Sequence, residues 1–239
     1  MTGIILAAGV GSRLRPLTET CPKCLLPVGS EGLLPRTLRA LQAAGIAECV
    51  LVTGHLRAMV EDAVHGMRLS MPVRFVHNHD FETTNNNASL WLAGTVTGRS
   101  DILVLDSDIL FDHRLLPLLL SSTAPNALLM REDCNLGREE IKVIVENGRV
   151  LQIGKEVEES RAVGESIGIE KFSADTARTL FSTLERRRTI NEFYEASFQE
   201  IIDGGANIAA VPTQGLPCME IDTSDDLAAA TKMAAALGI

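Results

Sequence analysis

The 239-residue sequence has few aromatic residues and no long hydrophobic run. Aromatic residues make up 4% of the chain and hydrophobic residues 46%, so the core is expected to be largely aliphatic. No apolar stretch reaches the roughly 20 residues that a membrane-spanning helix needs, and the alanine-rich segment at 228–237 is too short. Met1 leads directly into an apolar segment, without the basic region and cleavage site of a signal peptide. These absences predict a cytoplasmic protein.

Basic patches and paired cysteines are also lacking. The formal net charge of −9 argues against a nucleic-acid surface, which needs cations to neutralise phosphates. The one basic run, Arg186-Arg187-Arg188, is typical of a solvated helix end. The five cysteines are too scattered for a disulfide framework. Cys21 and Cys24 form a C-x-x-C, but no second pair completes a zinc site, and we interpret the spacing as coincidence.

Apolar segments alternate with amphipathic segments through the first half of the chain. Strands are predicted at 3–8, 48–53, 72–77 and 101–106, and helices at 35–45, 55–66 and 88–96. The 9–34 segment has glycine, proline and charge without periodicity, and is predicted to be a long loop of the kind that usually carries function. This order predicts an α/β fold with a Rossmann-like, doubly wound, mixed but mostly parallel sheet, and with a small β-hairpin and helical part that binds the acceptor.

The second half mixes a hairpin, strands and helices. Asn147-Gly148 lies between alternating apolar residues within 141–153, which is a strong hairpin signal. Asp112 is expected to N-cap a short helix that is interrupted at Pro117, and Thr223 with Asp226 to form a capping box. The remaining elements are strands at 126–130, 165–172 and 207–212, a helix after Ser173 and a helix at 191–203.

A glycine-rich loop follows the first predicted strand. Gly9 and Gly11 let the backbone approach an anion and present its N–H groups. Arg13 adds a planar fork of donors that suits phosphate oxygens. The loop is not the dinucleotide fingerprint, because Leu14 stands at the third glycine position, and a Walker A lysine is absent. The glycines alone are equally compatible with a plain turn.

The longer segment around this loop resembles a family signature. Residues 6–18 read LAAGVGSRLRPLT and residues 22–28 read PKCLLPV. They are similar to the L-A-A-G-x-G-x-R-L-x-P-L-T and P-K-x-L-x-x-V strings of the sugar-phosphate and choline-phosphate nucleotidyltransferases. The resemblance implies a GT-A-like nucleotidyltransferase fold and a triphosphate-binding loop. It also implies that Arg13 contacts the β- and γ-phosphates and that Lys23 lies near the reacting phosphates.

Acidic residues stand where that family holds its metal. Asp106-Ser107-Asp108 ends the fourth predicted strand, and ligands bind at the carboxyl ends of parallel strands. Carboxylates at such a position suit Mg²⁺. The resemblance assigns Asp108 to the metal, with Asp106 as a nearby accessory. It assigns Asp222, in the E-I-D-T string, as the second metal carboxylate, whereas Asp226 is better explained as a helix cap.

The 84–93 segment resembles the T-N-N-x-x-S-L string of the phosphocholine and phosphonate cytidylyltransferases, and 164–169 resembles their second-half strand. Asparagine side chains offer the donors and acceptors that recognition of a pyrimidine edge requires. The alternative is that the asparagine run caps the next helix, or does both. The resemblance favours CTP as donor and indicates these nucleotide-binding residues: Leu6, Ala8, Gly9, Gly11, Ser12, Arg13, Asn86, Ser89 and Asp106.

The sequence indicates the acceptor less narrowly than it indicates the nucleotide donor. Ser197 and Cys218 stand where choline-specific enzymes commonly have an aromatic residue, so the aromatic cage that suits a quaternary ammonium is depleted. A small phosphonate, such as 2-aminoethylphosphonate or a more acidic one, fits at least as well as phosphocholine. The 148–155 segment resembles the matching hairpin of inositol-phosphate cytidylyltransferases, which leaves inositol phosphate open. The candidate acceptor-binding residues are Lys155, Glu165, Glu195, Phe198 and Glu220.

The expected reaction is in-line transfer of CMP from CTP to a small phosphate monoester or phosphonate, with Mg²⁺ as cofactor and pyrophosphate as leaving group. Arg13 and Lys23 are the expected catalytic residues. We expect a single domain over 1–239, with a nucleotide-binding half at 1–110 and an acceptor-binding half at 111–239, acting as a monomer or homodimer. The alternatives are a sugar-1-phosphate or inositol-phosphate nucleotidyltransferase, and a non-catalytic nucleotide-binding regulatory domain.

Overall fold

The chain forms a nine-stranded sheet with helices against both faces in the computed structural model, which describes residues 1–132 and 136–238. The strands are β1 (Thr2–Ala7), β2 (Pro27–Val28), β3 (Glu31–Gly32), β4 (Glu48–Thr53), β5 (Val73–His77), β6 (Ile102–Asp106), β7 (Ile109–Phe111), β8 (Ala127–Arg131), β9 (Lys142–Glu146), β10 (Arg149–Gly154), β11 (Gly164–Phe172), β12 (Ala209–Pro212) and β13 (Cys218–Glu220). The helices are α1 (Leu17–Thr20), α2 (Leu33–Ala43), α3 (Arg57–His65), α4 (Asn86–Val96), α5 (Leu115–Ser121), α6 (Ala174–Arg187), α7 (Glu195–Asp203) and α8 (Ser224–Leu237).

The sheet has the strand order β5-β4-β1-β6-β11-β8-β12-β10-β9. Its first four strands are parallel, as the alternation of the first half predicts. β11 then pairs antiparallel with both β6 and β8, while β12 is parallel to β8 and antiparallel to β10. The predicted Rossmann-like α/β fold with a mixed sheet is therefore confirmed, with its antiparallel pairs in the second half of the chain.

The core is aliphatic because successive side chains of the central strand β1 pack on opposite faces of the sheet. Ile5 packs on one face with Leu38 and Leu41 of α2. Ile4 packs on the other face with Leu90 of α4 and Leu180 of α6. Each such side chain contributes about 1.5–3 kcal/mol when it is removed from water. Burial on both faces explains why β1 is a continuous apolar run rather than an alternating one.

The predicted strands and helices of the first half are confirmed to within two residues. The predicted hairpin is also confirmed: β9 and β10 pair antiparallel around Asn147 and Gly148, which both adopt positive φ, at 52° and 77°. The capping box between Thr223 and Asp226 opens α8 as predicted. The sequence predicts this turn and this helix cap correctly because adjacent residues determine the conformation of each.

The predicted helix around Asp112 was wrong in two respects. The carboxylate of Asp112 does not cap α5; it accepts hydrogen bonds from the backbone N–H and the guanidinium of Arg114, at 2.7–2.9 Å. Pro117 does not interrupt the helix either, because it lies in the first turn of α5, where a backbone N–H has no intrahelical partner to lose.

The predicted helix at 191–203 begins only at Glu195. The preceding residues are tied to neighbouring elements instead. The side-chain amide of Asn87 donates to the carbonyl oxygens of Arg187 and Ile190, at 3.1 and 2.8 Å. The guanidinium of Arg187 pairs with Glu192 at 2.6 Å. These contacts hold the connection between α6 and α7 in a non-helical path.

Within the 9–34 segment, the predicted loop contains the short elements α1, β2 and β3.

Across the two described ranges, no helix combines the length and the apolar character that crossing a membrane requires.

Candidate active site

The glycine loop after β1 is held in place by hydrogen bonds that involve Thr18 and His55. Gly11 has φ 64°, and a Cβ there would lie 3.0 Å from Thr18 and 3.2 Å from Lys23, so glycine is required. The hydroxyl of Thr18 donates to the carbonyl of Gly11 at 2.8 Å. His55, just beyond β4, places Nε2 2.8 Å from the carbonyl of Thr18. Because a carbonyl only accepts, this nitrogen carries the proton. Thr18 and His55 thus anchor the loop to the sheet.

A cleft of about 250 Å³ opens beside this loop, at the carboxyl ends of β1 and β6. It is lined by seven of the predicted nucleotide-binding residues: Leu6, Ala8, Gly9, Arg13, Asn86, Ser89 and Asp106. Gly11 and Ser12 lie in the adjoining loop and do not line the cleft. We refer to this space as the donor cleft.

The asparagine run at the start of α4 has three different roles. Asn85 is the N-cap, and its side chain accepts from the backbone N–H of Asn86. The side chain of Asn86 accepts from the backbone N–H of Tyr194 at 2.9 Å while it lines the donor cleft. Asn87 is buried and holds the α6–α7 connection, as described above. The capping alternative is therefore confirmed for Asn85, whereas Asn86 remains available to a bound molecule through the cleft.

Three carboxylates from distant parts of the chain converge at the edge of the donor cleft. One oxygen atom each of Asp108, Glu220 and Asp222 lies within 4.8 Å of the others. A two-stranded ribbon brings them together, because β7 and β13 pair antiparallel with Ile109 opposite Glu220. The backbone N–H of Ile221 also donates to the carbonyl of Asp108 at 3.0 Å. The sequence assigned Glu220 to the acceptor; the ribbon places it with the two metal candidates.

Lys23 lies between two of these carboxylates. Its Nζ is 2.5 Å from Asp108 Oδ2 and 2.7 Å from Asp222 Oδ1. Burial alone would lower the pKa of Lys23, but the charges of Asp108 and Asp222 outweigh it and hold the pKa above its ordinary value. Arg13 also pairs with Asp222, at 2.6 Å, although its side chain is half exposed. The two cations that the sequence singles out therefore meet at one carboxylate.

The carboxylate group fits a divalent metal. Asp108 Oδ1 is buried and has no hydrogen-bond partner among the described residues. The pKa of Glu220 is raised to about 8, first by burial and then by the charges of Asp108 and Asp222, against the opposing charges of Lys23 and Arg13. A bound cation would interact with the unpartnered oxygen of Asp108 and would offset the negative charges that raise the pKa of Glu220. Three carboxylates with room for phosphate oxygens form the oxygen donor set that Mg²⁺ takes.

Asp106 stands apart from this group. It is half-buried and accepts a hydrogen bond from the hydroxyl of Tyr194 at 2.8 Å. Its pKa is raised well above the ordinary value, first by burial and then by the charges of Asp108 and Glu195. Gly168 on β11 has φ 70°, and a Cβ there would lie 2.8 Å from the Asp106 carboxylate. Glycine at 168 is what allows Asp106 to sit this close to β11.

A second cleft, of about 410 Å³, adjoins the first, and Arg13, Asn86, Asp106 and Asp222 line both. We call it the acceptor cleft. Four of the predicted acceptor residues line it: Lys155, Glu165, Glu195 and Glu220.

Phe198 does not reach the acceptor cleft. It is 0% exposed, and its ring packs 5.0 Å from the ring of Phe172 and 4.9 Å from that of Tyr194, so it belongs to the core. The aromatic residue at the cleft is Phe193, which is 41% exposed and lines both clefts. Lys155 Nζ lies 4.5 Å from its ring centroid. The sequence analysis missed Phe193. The spacing contained a signal for it: Tyr194 and Phe198 are four residues apart and therefore share one helical face, whereas Phe193 lies on a different face.

The two cysteines of the C-x-x-C differ in burial, since Cys24 is buried and Cys21 is half-buried. Cys21 and Cys24 are both free thiols. Burial, followed by the charge of Asp108, raises the pKa of Cys24 to about 12, which disfavours a reactive thiolate. Cys134 lies outside the described residues.

Replacing Glu195 by glutamine is expected to stabilise the protein above pH 7. Burial raises the pKa of this carboxyl to about 7 from an ordinary 4.5. A carboxyl with a raised folded-state pKa contributes stability below its unfolded pKa and loses it as the pH rises through the folded pKa. The loss is about 3 kcal/mol over this window, at about 1.4 kcal/mol per pKa unit. Glutamine does not titrate and avoids it.

Urea unfolding at pH 5 and pH 8 measures this effect. The E195Q variant should gain on the wild type as the pH rises, and the change should be confined to the interval from pH 4.5 to pH 7. A stability difference that is the same at both pH values would show that Glu195 is solvated.

Comparison with known proteins gives a consistent result. The profile of the nucleotidyl transferase family matches residues 2–130. The chain is 27% identical to choline-phosphate cytidylyltransferase of Streptococcus pneumoniae over 95% of both chains. It is 37% identical over 125 residues to CMP-5'-(3-aminopropyl)phosphonate synthase of Streptomyces rubellomurinus, which covers 52% of this chain but 20% of that protein. The structure of the inositol-1-phosphate CTP transferase from T. maritima shares the fold, with a TM-score of 0.82, 20% identity and coverage of 98% and 96%.

Proposed function

The chain belongs to the nucleotidyl transferase family, and from this premise we propose that it is a cytidylyltransferase that transfers CMP from CTP to a small phosphate monoester or phosphonate. One observation carries the proposal: Arg13, Lys23 and the carboxylates of Asp108, Glu220 and Asp222 converge where the donor and acceptor clefts meet. The choice of CTP is supported by the cytidylyltransferase relatives and by the position of Asn86 and Ser89 in the donor cleft.

The proposed cofactor is Mg²⁺, held by Asp108 and Asp222 with Glu220 beside them. When bound, the ion would neutralise charge on the phosphates of the nucleotide and orient the α-phosphate for attack. The ribbon of β7 and β13 fixes the spacing of the three carboxylates before any substrate arrives.

The reaction needs little proton transfer. An anionic oxygen of the acceptor's phosphate or phosphonate forms a bond to the α-phosphorus, the bond from that phosphorus to the bridging oxygen breaks, and pyrophosphate leaves with the electron pair. No general base is required because the nucleophile is already ionised. The protein's contribution is therefore position and charge.

Each cation has a proposed place in this step. Arg13 and the backbone N–H groups of the loop hold the β- and γ-phosphates that leave. Lys23 neutralises the charge that builds on the α-phosphate, and its present contacts with Asp108 and Asp222 show that its Nζ reaches the junction of the clefts. Lys155, which lines the acceptor cleft and pairs with Glu139 as Arg13 does, is the candidate for the acceptor's own phosphate.

The proposal is tested by pyrophosphate release from CTP, UTP, dTTP, ATP and GTP, each with Mg²⁺ and a panel of phosphorylated and phosphonate acceptors. We expect release from CTP that depends on the acceptor, with a CMP adduct as the second product. Release with no acceptor of the panel would refute the activity. Preference for UTP or dTTP with a sugar 1-phosphate would place the chain among the sugar-1-phosphate enzymes instead.

We expect the hydroxyl of Thr18 to position the phosphate-binding loop. Valine at 18 keeps the shape of the side chain but removes the donor to the carbonyl of Gly11. A lost buried hydrogen bond costs about 1–2 kcal/mol, so the KM for CTP of T18V should rise about 5- to 30-fold. Serine at 18 keeps the hydroxyl and should restore most of the affinity. Steady-state kinetics with CTP as the varied substrate measures both.

The matched control is Thr97, whose hydroxyl donates to the carbonyl of Ala93 at 2.8 Å at the end of α4 that is remote from the clefts. The T97V variant should lose stability without a change in the KM for CTP. If T18V and T97V alter stability alike and leave the KM unchanged, Thr18 has a structural role only.

A further inference from the structure

The cations of the acceptor cleft already have acidic partners. Of the described residues that line this cleft, three are cationic and eight are acidic. Each of the three cations forms an ion pair: Arg131 with Glu165 at 2.5 Å, Lys155 with Glu139 at 3.0 Å, and Arg13 with Asp222 at 2.6 Å. A phosphate that enters the cleft therefore contacts one of these cations directly only when an ion pair opens.

Two of the three pairs are held by further contacts. The guanidinium of Arg131 also donates to the carbonyl of Cys218 at 3.0 Å, and the side chain of Glu165 is largely buried. Asp222 belongs to the group of three carboxylates that fits a metal, and Lys23 also pairs with it at 2.7 Å. Neither Glu165 nor Asp222 can move away without breaking other parts of the site.

Glu139 has the opposite character. Its side chain is 72% exposed, and among the described residues its carboxylate contacts only Lys155 Nζ, at 3.0 Å, and Arg13 Nη1, at 3.9 Å. The hydrogen bond from Lys155 and the charge of Lys155 lower the pKa of Glu139, so the carboxylate is ionised at neutral pH. An exposed ion pair of this kind is weak. The pair between Lys155 and Glu139 is therefore the one that opens most easily.

The carboxylate of Glu139 also lies between the cations that serve the two substrates. Under the proposed function, Arg13 holds the leaving phosphates of CTP, and Lys155 holds the phosphate or phosphonate of the acceptor. A single atom, Glu139 Oε2, is the one closest to both cations. Carboxylate and phosphate oxygens are anionic acceptors for the same N–H donors. Glu139 therefore takes the place that a phosphate oxygen would take.

The backbone around Glu139 is fixed, although the side chain is exposed. Lys142 is only 2% exposed, and its Nζ donates to the carbonyl of Gly137 at 2.7 Å. The carboxylate of Glu140 accepts from the backbone N–H of Gly137 at 2.7 Å. A buried ammonium group is costly unless its donors are satisfied, so Lys142 favours the turn that supplies this carbonyl. The turn keeps Glu139 at the cleft, and rotation of its side chain alone is enough to release the two cations.

We propose that Glu139 is an internal competitor of the substrates: in the free protein its carboxylate occupies a phosphate position between Arg13 and Lys155, and the substrates displace it. The inference rests on the proposed function, which assigns those two cations to the phosphates of CTP and of the acceptor. Because the competitor belongs to the same chain, its effective concentration is independent of the protein concentration. Its return to Arg13 and Lys155 favours the departure of pyrophosphate.

The experiment compares E139Q with the wild type in kinetics and in binding. Glutamine keeps the size of the side chain and removes its charge. The KM for the best acceptor of the panel and the calorimetric Kd for pyrophosphate should each fall about two- to fivefold, as expected for the loss of an exposed ion pair. The kcat should change little, because Glu139 is already displaced in the complex that reacts. E139D keeps the charge on a shorter side chain and should shift KM and Kd in the same direction.

The matched control is E156Q. Glu156 directly follows Lys155 in the chain and is exposed, but it lines neither cleft and forms no ion pair within the described ranges. This variant removes the same charge and should leave KM and Kd as in the wild type. Equal shifts in E139Q and E156Q would trace the effect to net charge and would overturn the inference.

The remaining outcomes separate the inference from the proposed function. A higher KM for the acceptor, or weaker binding of pyrophosphate, in E139Q would show that Glu139 positions Lys155 and Arg13 instead of competing with the substrates. Wild-type values of KM and Kd in E139D would show that contact with the two cations is not the cause. Absence of pyrophosphate release with every acceptor counts against the proposed function, whereas the Kd for pyrophosphate still decides whether Glu139 competes with a bound anion.

Discussion

Replacing Asp108 or Asp222 by asparagine is expected to lower kcat for CTP turnover at least about a thousandfold. Each substitution removes a charged oxygen from a group of three that lies within 4.8 Å. A metal-binding carboxylate acts where charge develops in the transition state, and removing one preorganised charge of this kind typically costs about a hundred- to thousandfold in kcat, with loss of the ion adding to it. Pyrophosphate release at saturating CTP measures the rate, and calorimetry with Mn²⁺ measures the metal affinity.

The control for this experiment is D112N. Asp112 is also a buried carboxylate, only four residues beyond Asp108, but it pairs with Arg114 outside both clefts. The D112N variant should have a lower free energy of unfolding and an unchanged affinity for the metal. Circular dichroism establishes that each variant is folded. Turnover of D108N or D222N within tenfold of the wild type would exclude the metal role, whatever the stability of the variant.

The second large effect is expected at Lys23, and its sign differs between two measurements. Replacing Lys23 by methionine should lower kcat about a hundred- to thousandfold, because the charge that builds on the α-phosphate loses its cation. The same change should tighten the binding of Mn²⁺ to the free protein. Lys23 Nζ lies 2.5 and 2.7 Å from Asp108 and Asp222, so it competes with a metal for their oxygens.

Lys171 offers a matched control. It is also buried, and its Nζ donates to the carbonyl of Ser122 at 2.7 Å, away from both clefts. K171M should change stability but neither kcat nor metal affinity. Weaker metal binding by K23M would mean that Lys23 supports the ion instead of competing with it, and near-normal turnover would remove Lys23 from the mechanism.

The parts of the site that lie in one continuous string could be predicted from the sequence. The segment from Leu6 to Val28 continues directly from β1, so its residues, Arg13 and Lys23 among them, are neighbours in the fold because they are neighbours in the chain. Asp108 could be placed because it ends a predicted strand, and the ends of parallel strands meet at one edge. The meeting of Asp108 with Asp222 could be inferred only by resemblance, because it depends on the long-range pairing of β7 with β13.

Other features depend on contacts that no local pattern contains. The hydrogen bond between His55 and the carbonyl of Thr18 joins residues in different segments, and neither has an unusual spacing. The path between α6 and α7 looks helical by periodicity, but Asn87 and Arg187 hold it in another conformation. Phe198 was assigned to the acceptor by resemblance to a segment of the choline-specific enzymes, whereas its packing against Tyr194 and Phe172 places it in the core.

The β7–β13 ribbon also bears on how such a protein can diversify. Its two strands pair with each other, so everything from 112 to 217 is in topological terms an insertion at the end of a hairpin. The walls of the acceptor cleft that carry Lys155, Glu165 and Glu195 belong to this insertion, whereas Asp108, Glu220 and Asp222 lie at the hairpin's other end, in or next to its two strands. The residues of 112–217 that line the acceptor cleft take no part in the pairing of β7 with β13. Under the proposed function, the choice of acceptor can therefore change through these cleft residues while the three proposed metal-binding carboxylates keep their positions.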